Sequence, residues 1–410
     1  MTEITGVTAT EILDSRGNPT VQVTMHNDDA TVTAKVPSGA STGQHEAHEL
    51  RDHDENRYHG RGVQNAVRNV NTVINNHVAN TDHSTQEAFD TTLIDLDGTD
   101  TKSRLGANAI LACSMAFARL RATTQRIELY EAFTEDRYQT PTPYCNILNG
   151  GDHAGNDLTI QEFMITPTTV QRFDEATRII VETYHELKDL ITATYGSQHT
   201  AVGDEGGFAP PVNGSEEALK CIERAAKQAG HSDDIQVAID AAALEFYNAE
   251  TDTYTLQGSE FTREDLHNHY TDLIEAHDIV SLEDPFHDDA FDDFTALLND
   301  VEDTCQIVGD DLTVSNPSRV ETAVEQQSAN ALLLKVNQIG TVTEARRAAE
   351  IAQSSGWNVM VSHRSGETAD AFIADFAVGI GAEQIKIGAP CRSDRTSKYN
   401  RLLEIQRLIE

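Results

Sequence analysis

Apolar residues in the second half of the chain fall into short runs, and each run stops at a side chain that can carry charge. QVAID ends at Asp240, IVSLE at Glu283, QIVGD at Asp310, ALLLK at Lys335, VMVSH at His363 and QIK at Lys386. Runs this short and rich in β-branched residues predict parallel strands buried on both faces. The charged ends are separated by 43, 27, 25, 28 and 23 residues. A strand, a helix and two loops take about 25–35 residues, so the spacing predicts a βα repeat closing into a (βα)8-type barrel. Its charges then gather on the C-terminal face, where such barrels do their chemistry. An ionisable group at that position is costly unless the site is polar or holds an ion.

The first third of the chain has a different rhythm. VTATEIL, TVQVTM and TVTAKV alternate with period two and are separated by the turn-rich SRGNP and NDD, which predicts an antiparallel three-stranded meander. Val63, Ala66, Val67, Val70, Val73, Ile74 and His77 then recur at helical spacing, and a second helix is expected from about Ala107 to Arg121. A meander followed by helices makes a small α+β domain. The polar segment TEDRYQTPTP (134–143) carries two prolines and marks a boundary. The expected division is therefore an α+β domain over 1–135 and an α/β barrel over 136–410. Beyond the boundary LTIQEFMI reads as a strand, and FDEATRIIVETYHELKDLI and SEEALKCIERAAKQAG read as helices, the latter stopped at Gly230. GIGAEQ lacks the third glycine of a dinucleotide fingerprint, and no GxxxxGK[ST] loop occurs.

Composition narrows the function class. Hydrophobic residues make up 39% of the chain, enough for a packed core, yet no run approaches the ~18 apolar residues of a membrane span. The first residues are acidic and lack the basic start of a secretory signal. Five scattered cysteines point to free thiols in a reducing cytoplasm and away from a disulfide framework or a zinc site. The net charge of −37, from 67 acidic and 30 basic residues, repels nucleic acid and anionic lipid. Such a charge also opposes compaction unless salt screens it, so a salt-rich cytoplasm is expected, the alternative being an ordinary acidic enzyme. Only eight of the basic residues are lysine, and two of those, Lys335 and Lys386, lie in apolar strand patterns.

The charged ends form a chemically coherent set. Asp240, Glu283 and Asp310 offer hard oxygen ligands of the kind Mg²⁺ takes. The absence of a Cys/His partner set argues against zinc. Lys335 is a candidate base, since burial and neighbouring positive charge depress a lysine pKa; a structural ion pair is the other reading. His363-Arg364-Ser365-Gly366 suits a phosphate, through a bidentate guanidinium and hydroxyl and amide donors, unless Arg364 pairs with a carboxylate. Gly203-Asp204-Glu205-Gly206-Gly207 is an acidic turn whose glycines would let the backbone approach a ligand. The small-residue segments 37–43, with Ser41, and 149–155, with His153, read as linkers or lids.

Together these segments resemble the enolase family. LDSRGNPTV, VPSGASTG, LGANAIL, NGGDHAGN, QEFMI, GDEGGFAP, SLEDPF, GDDLTVSNP, LLLKVNQIGT, SHRSGET and GAPCRSDR occur in order, from residue 13 to beyond residue 390. The resemblance implies a dimer of two-domain subunits and a barrel whose opening is not strictly βα. It also implies reversible dehydration of 2-phosphoglycerate to phosphoenolpyruvate with two Mg²⁺ ions per site. Position by position, Asp240, Glu283 and Asp310 would hold the first Mg²⁺ and Ser41 the second. Lys335 would take the C2 proton, and Glu205, with Glu162 beside it, would help expel the C3 hydroxyl. Lys386 would face the substrate carboxylate, Arg364 and Ser365 the phosphate, and His153 and His363 the lid and hydroxyl side.

Four positions depart from the family pattern: Asp152 before His153, Leu244, Ala369 and Ile387. A carboxylate next to His153 is expected to favour its protonated form. Two rival readings exist. One is a racemase or cycloisomerase of the same superfamily; the phosphate-type pair Arg364–Ser365 and Ser41 count against it. The other is a noncatalytic binding protein on this scaffold, against which the intact acid, base and ligand set counts. The charge argument generates one prediction: the melting temperature should rise through a KCl series, and equal or higher stability at low salt would refute the salt-rich setting.

Overall fold

A computed structural model describes residues 2–39, 43–133 and 138–410. Ser41, and the start of the boundary segment, lie outside the described residues. The meander forms as expected, with β1 (Gly6–Leu13), β2 (Pro19–His26) and β3 (Thr31–Lys35) paired antiparallel in chain order. Its first turn is held by Asp14, whose Oδ1 accepts the amides of Arg16 and Asn18 at 2.8 Å each. The alternating residues Val7, Val21, Val23 and Met25 are buried, as period-two patterning requires. They face helix α1 (Ala107–Gln125), which runs four residues past its expected end and stops where Arg126 turns left-handed. The earlier helical stretch spans residues 64–78 with a π-type turn at Val70–Ile74.

The barrel is closed and eight-stranded. In chain order its strands are β4 (Thr142–Asn149), β5 (Glu162–Thr166), β6 (Gln236–Asp240), β7 (Ile279–Glu283), β8 (Gln306–Gly309), β9 (Ala331–Leu334), β10 (Asn358–Ser362) and β11 (Gln384–Lys386). Alternation sorts their side chains. Tyr144, Met164, Ala238, Val308, Ala331, Leu333 and Met360 pack together inside, while Leu332, Leu334, Val359 and Val361 join the larger core under the helices. Strand β5 runs antiparallel to both neighbours, whereas every other adjacent pair is parallel. This reversal matters for chemistry: Glu162 starts its strand yet pairs with Asn149 and Asp240, at the same mouth as the ends of the parallel strands.

The α+β unit is clasped to the barrel by buried polar pairs. Arg119 on α1 binds Asp370 through both guanidinium nitrogens, at 2.7 and 2.5 Å, and the amide of Lys35 donates to the same carboxylate at 2.9 Å. Asp90 accepts the amide of Thr343 at 2.9 Å, and burial pushes its carboxyl up to about 6. Burial also raises Asp370, but Arg119 and the backbone donors outweigh it and leave the carboxyl below its ordinary range. A carboxyl held low stabilises the fold above its unfolded pKa, and that contribution fades as pH falls through the folded value. Asp370→Asn should therefore cost about 3 kcal/mol at pH 7, with the gap narrowing below about pH 4, measured as urea midpoints of both proteins across pH.

Candidate functional site

Strands β6, β7 and β8 are neighbours, so Asp240, Glu283 and Asp310 stand side by side at the barrel mouth. Asp240 and Glu283 are the last residues of their strands; Asp310, Lys335 and His363 are each the first residue beyond theirs. Around them opens a small hollow, about 40 Å³, lined by Glu162, Glu205, Asp240, Asp310, Lys335, His363, Arg364, Ser365, Lys386 and His153, all of which the sequence singles out. Its wall carries eight carboxylates and three Lys or Arg cations.

Lys386 sits at the centre of the acids. Its Nζ lies 2.9 Å from Asp240, 2.8 Å from Glu283 and 3.1 Å from Glu162. Burial alone would depress this amine, but the three carboxylates hold it well above the ordinary lysine value. Lys386 therefore neutralises the predicted ligands in addition to facing the hollow. Lys335 donates to Asp310, whose other oxygen accepts Gln338 Nε2 at 2.8 Å. Of the two readings of Lys335, the ion pair is the one seen with no cation present: burial lowers the amine, but Asp310 outweighs it and the pKa is raised. The phosphate-type arginine is also engaged. Arg364 makes a fork to Glu46 at 3.1 Å per arm and donates to Asn337 at 3.1 Å. Ser365 Oγ accepts from Arg16 at 3.3 Å.

The other side of the hollow holds an acid pair. His153 Nδ1 lies 3.5 Å from Glu162 and 3.7 Å from Glu205. Burial and the charge of Glu205 push Glu162 well above the usual carboxylate range. Glu205 feels the same burial, but the adjacent His363 and His153 rings and Arg395 hold it well below. The two carboxyls are thus pushed in opposite directions, Glu162 up and Glu205 down. Burial likewise lowers His153, against the pull of Glu205; the Asp152 side chain, on which its expected protonation rests, lies outside the described part. His363 is lowered by burial to about 3. The acidic turn brings a further correction. Its glycines make room for protein, since a Cβ on Gly203 would fall 2.4 Å from His153 O and one on Gly207 2.1 Å from Asn149 Oδ1. Ile387 is fully buried, Leu244 half-buried and Ala369 exposed.

Several contributors are not apparent in the strand pattern. Asp284 turns left-handed (φ 42°) just after Glu283, and its carboxylate accepts the amides of Asp310 at 2.9 Å and Asp311 at 2.7 Å. Asp284 and Asp311 stand next to predicted acids in SLED and GDD, a signal that could have found them. Glu46 comes from a loop, Gln338 from a four-residue helix (Val336–Ile339) and Arg395 from a helix start, none with a period to betray it.

The donor set suits a hard divalent cation. Buried Glu283 Oε1 has no hydrogen-bond partner. Burial and Asp240 raise Glu283, while burial with Asp310 raises Asp311 to about 8. Crowded carboxylates raised in this way are relieved by a cation. Mg²⁺ should therefore raise the melting temperature. The gain is expected to reach the equivalent of about 2.7 kcal/mol at a hundredfold excess over Kd, and to vanish in Glu283→Gln, as calorimetry of the two proteins with and without Mg²⁺ would show.

Relatives span the whole chain. The chain is 51% identical to the enolase of Methanopyrus kandleri, across 99% of this chain and 96% of that protein. It is 50% identical to the enolase of Pyrococcus furiosus (100% and 95% covered) and 49% to that of Thermococcus kodakarensis (100% and 95%). Residues 4–133 match the family described as "Enolase, N-terminal domain", and residues 137–410 match "Enolase, C-terminal TIM barrel domain". With both halves matched and relatives about 50% identical along nearly their whole length, the chain belongs to the enolase family.

Proposed function

We propose that this enolase dehydrates 2-phospho-D-glycerate reversibly to phosphoenolpyruvate, as a Mg²⁺-dependent phosphopyruvate hydratase, through the residues that meet at the barrel mouth. The supporting observation is that Lys335 and the Glu162–Glu205 pair, a base and an acid of separate origin in the chain, line one hollow rich in carboxylates. A proton α to a carboxylate is very weakly acidic because its removal leaves a dianionic carboxylate-enolate. Two Mg²⁺ ions, one held by Asp240, Glu283 and Asp310 and a second reached by Ser41, would supply positive charge where that dianion develops.

The chain's own groups do the rest. Lys335 takes the C2 proton once it is released from Asp310, the condition for a neutral amine. Lys386 stabilises the growing negative charge on the substrate carboxylate. Glu205, entering the step as the acid, gives its proton to the C3 hydroxyl, which leaves as water, with Glu162, His363 and His153 beside it. Arg364 exchanges Glu46 for the phosphate, and Ser365 adds a hydroxyl donor. We place the domain boundary at 135/136 and read the protein as a cytoplasmic homodimer in a salt-rich cell, without a nucleic-acid partner. The −37 charge supports the last two points. No helix among the described residues is long and apolar enough to cross a membrane.

The division of labour is testable. Lys335→Ala should abolish C2 proton exchange, while Glu205→Gln should retain exchange and lose on the order of 10²–10⁴-fold in dehydration. Ultraviolet detection of the enol phosphate, with and without Mg²⁺ in high KCl, and solvent exchange at C2 check the two steps. Equal loss of both steps in both variants would contradict the assignment.

A further inference from the structure

Arg395 is fully buried at the start of the last helix (Ser393–Ile409), and it does not line the hollow. Its guanidinium spans two loops of the site. Nη1 lies 2.6 Å from His363 Nδ1 and donates to Arg364 O at 2.6 Å; Nη2 donates to Ser365 O at 2.7 Å and to Asp204 O at 3.1 Å. On its far side Nε lies 3.1 Å from Asp394. An arginine has donors and no acceptor, so the short contact requires His363 Nδ1 to be the bare, accepting nitrogen. A neutral ring then carries its proton on Nε2, which lies 3.2 Å from Glu205 Oε2. Room for this arrangement depends on Gly388: a Cβ there would meet Glu205 O at 2.7 Å, His363 Cε1 at 2.9 Å and Arg395 Cδ at 3.1 Å.

We infer that Arg395 is a positioning residue for the dehydration half-reaction: it fixes the Nε2–H tautomer of His363 and locks the Glu205 loop to the 363–365 loop, so that the imidazole presents a donor to Glu205. The inference rests on the proposed role of Glu205 as the acid. Fixing a catalytic ring's tautomer through its second nitrogen is a recognised means of control, and the wrong tautomer costs heavily. Lys335 does not touch Arg395 or His363, so C2 exchange at saturating 2-phosphoglycerate should be insensitive to the clamp, and any weaker hold of Arg364 and Ser365 on the phosphate would show in KM.

The test uses Arg395→Met, similar in length but without donors, and Arg395→Lys, which can still offer one N–H to Nδ1. Dehydration should fall on the order of 10²-fold in the methionine variant and recover in part in the lysine variant, with C2 exchange within about threefold of the parent in both. Equal loss of exchange and dehydration, or lysine no better than methionine, would overturn the inference. Should either variant fail to fold, nitrogen-15 imidazole spectra of the unsubstituted protein decide, with the His363 signal assigned by its loss in His363→Gln. An Nε2–H ring is expected, and an Nδ1–H ring refutes the clamp. Failure of the parent enzyme to turn over 2-phosphoglycerate would instead refute the function on which the inference rests.

Discussion

Carboxylates outnumber cations at the barrel mouth, and the rest of the site is organised by how that imbalance is met. Two like charges about 4 Å apart repel by about 4 kcal/mol at an effective dielectric of 20. Asp240, Glu283 and Glu162 tolerate one another because a single buried ammonium, that of Lys386, touches all three. What Lys386 does not neutralise shows in the raised carboxyls of Glu162, Glu283 and Asp284, each pushed up by burial and by its acidic neighbours. A site so poised favours any added cation, which is the electrostatic requirement of chemistry that builds a dianion.

Internal ion pairs set the remaining side chains. Asp310 holds Lys335, and Glu46 holds Arg364, by pairs that an anionic substrate and a cation can each replace. Breaking a buried pair is costly when nothing takes its place and cheap when a better partner arrives. The same groups that keep the fold satisfied thus select for ligands able to satisfy both halves of each pair at once. This also resolves the paradox of an anionic substrate entering a protein of charge −37: the local field at Arg364 and Lys386 is set over a few ångströms, whereas the global field is screened beyond about 10 Å in ordinary salt.

Much of this is legible in the sequence because strands impose phase. Asp240, Glu283 and Asp310 sit at or next to equivalent strand ends, and a parallel barrel has no choice but to bring such ends together. Lys335 and Lys386 stand out because lysine is scarce. Protonation states are not legible in that way. The upward shift of Lys335 and the downward shift of His153 depend on burial and on neighbours distant in the chain, which no local pattern encodes. Arg395 is hidden for a related reason. It sits among other charged residues at a helix start, and nothing in RSDR distinguishes a buried clamp from a solvated arginine. Lys102 and Lys398 show the limit of the scarcity argument too, for both are buried against carboxylates, Glu344 and Glu367, without lining the hollow.

The reversed strand β5 has a mechanical corollary. Because Glu162 begins its strand, it is tied through residues 154–161 directly to His153, on the same stretch of backbone. Glu205 belongs to another loop, pinned by the guanidinium clamp to the opposite wall. The two carboxylates are therefore mounted on different stretches of the chain, Glu162 on a barrel strand and Glu205 on a loop, and the ring of His153, 3.5 Å from one and 3.7 Å from the other, stands between them. A change in the backbone that carries His153 would reach both acids at once.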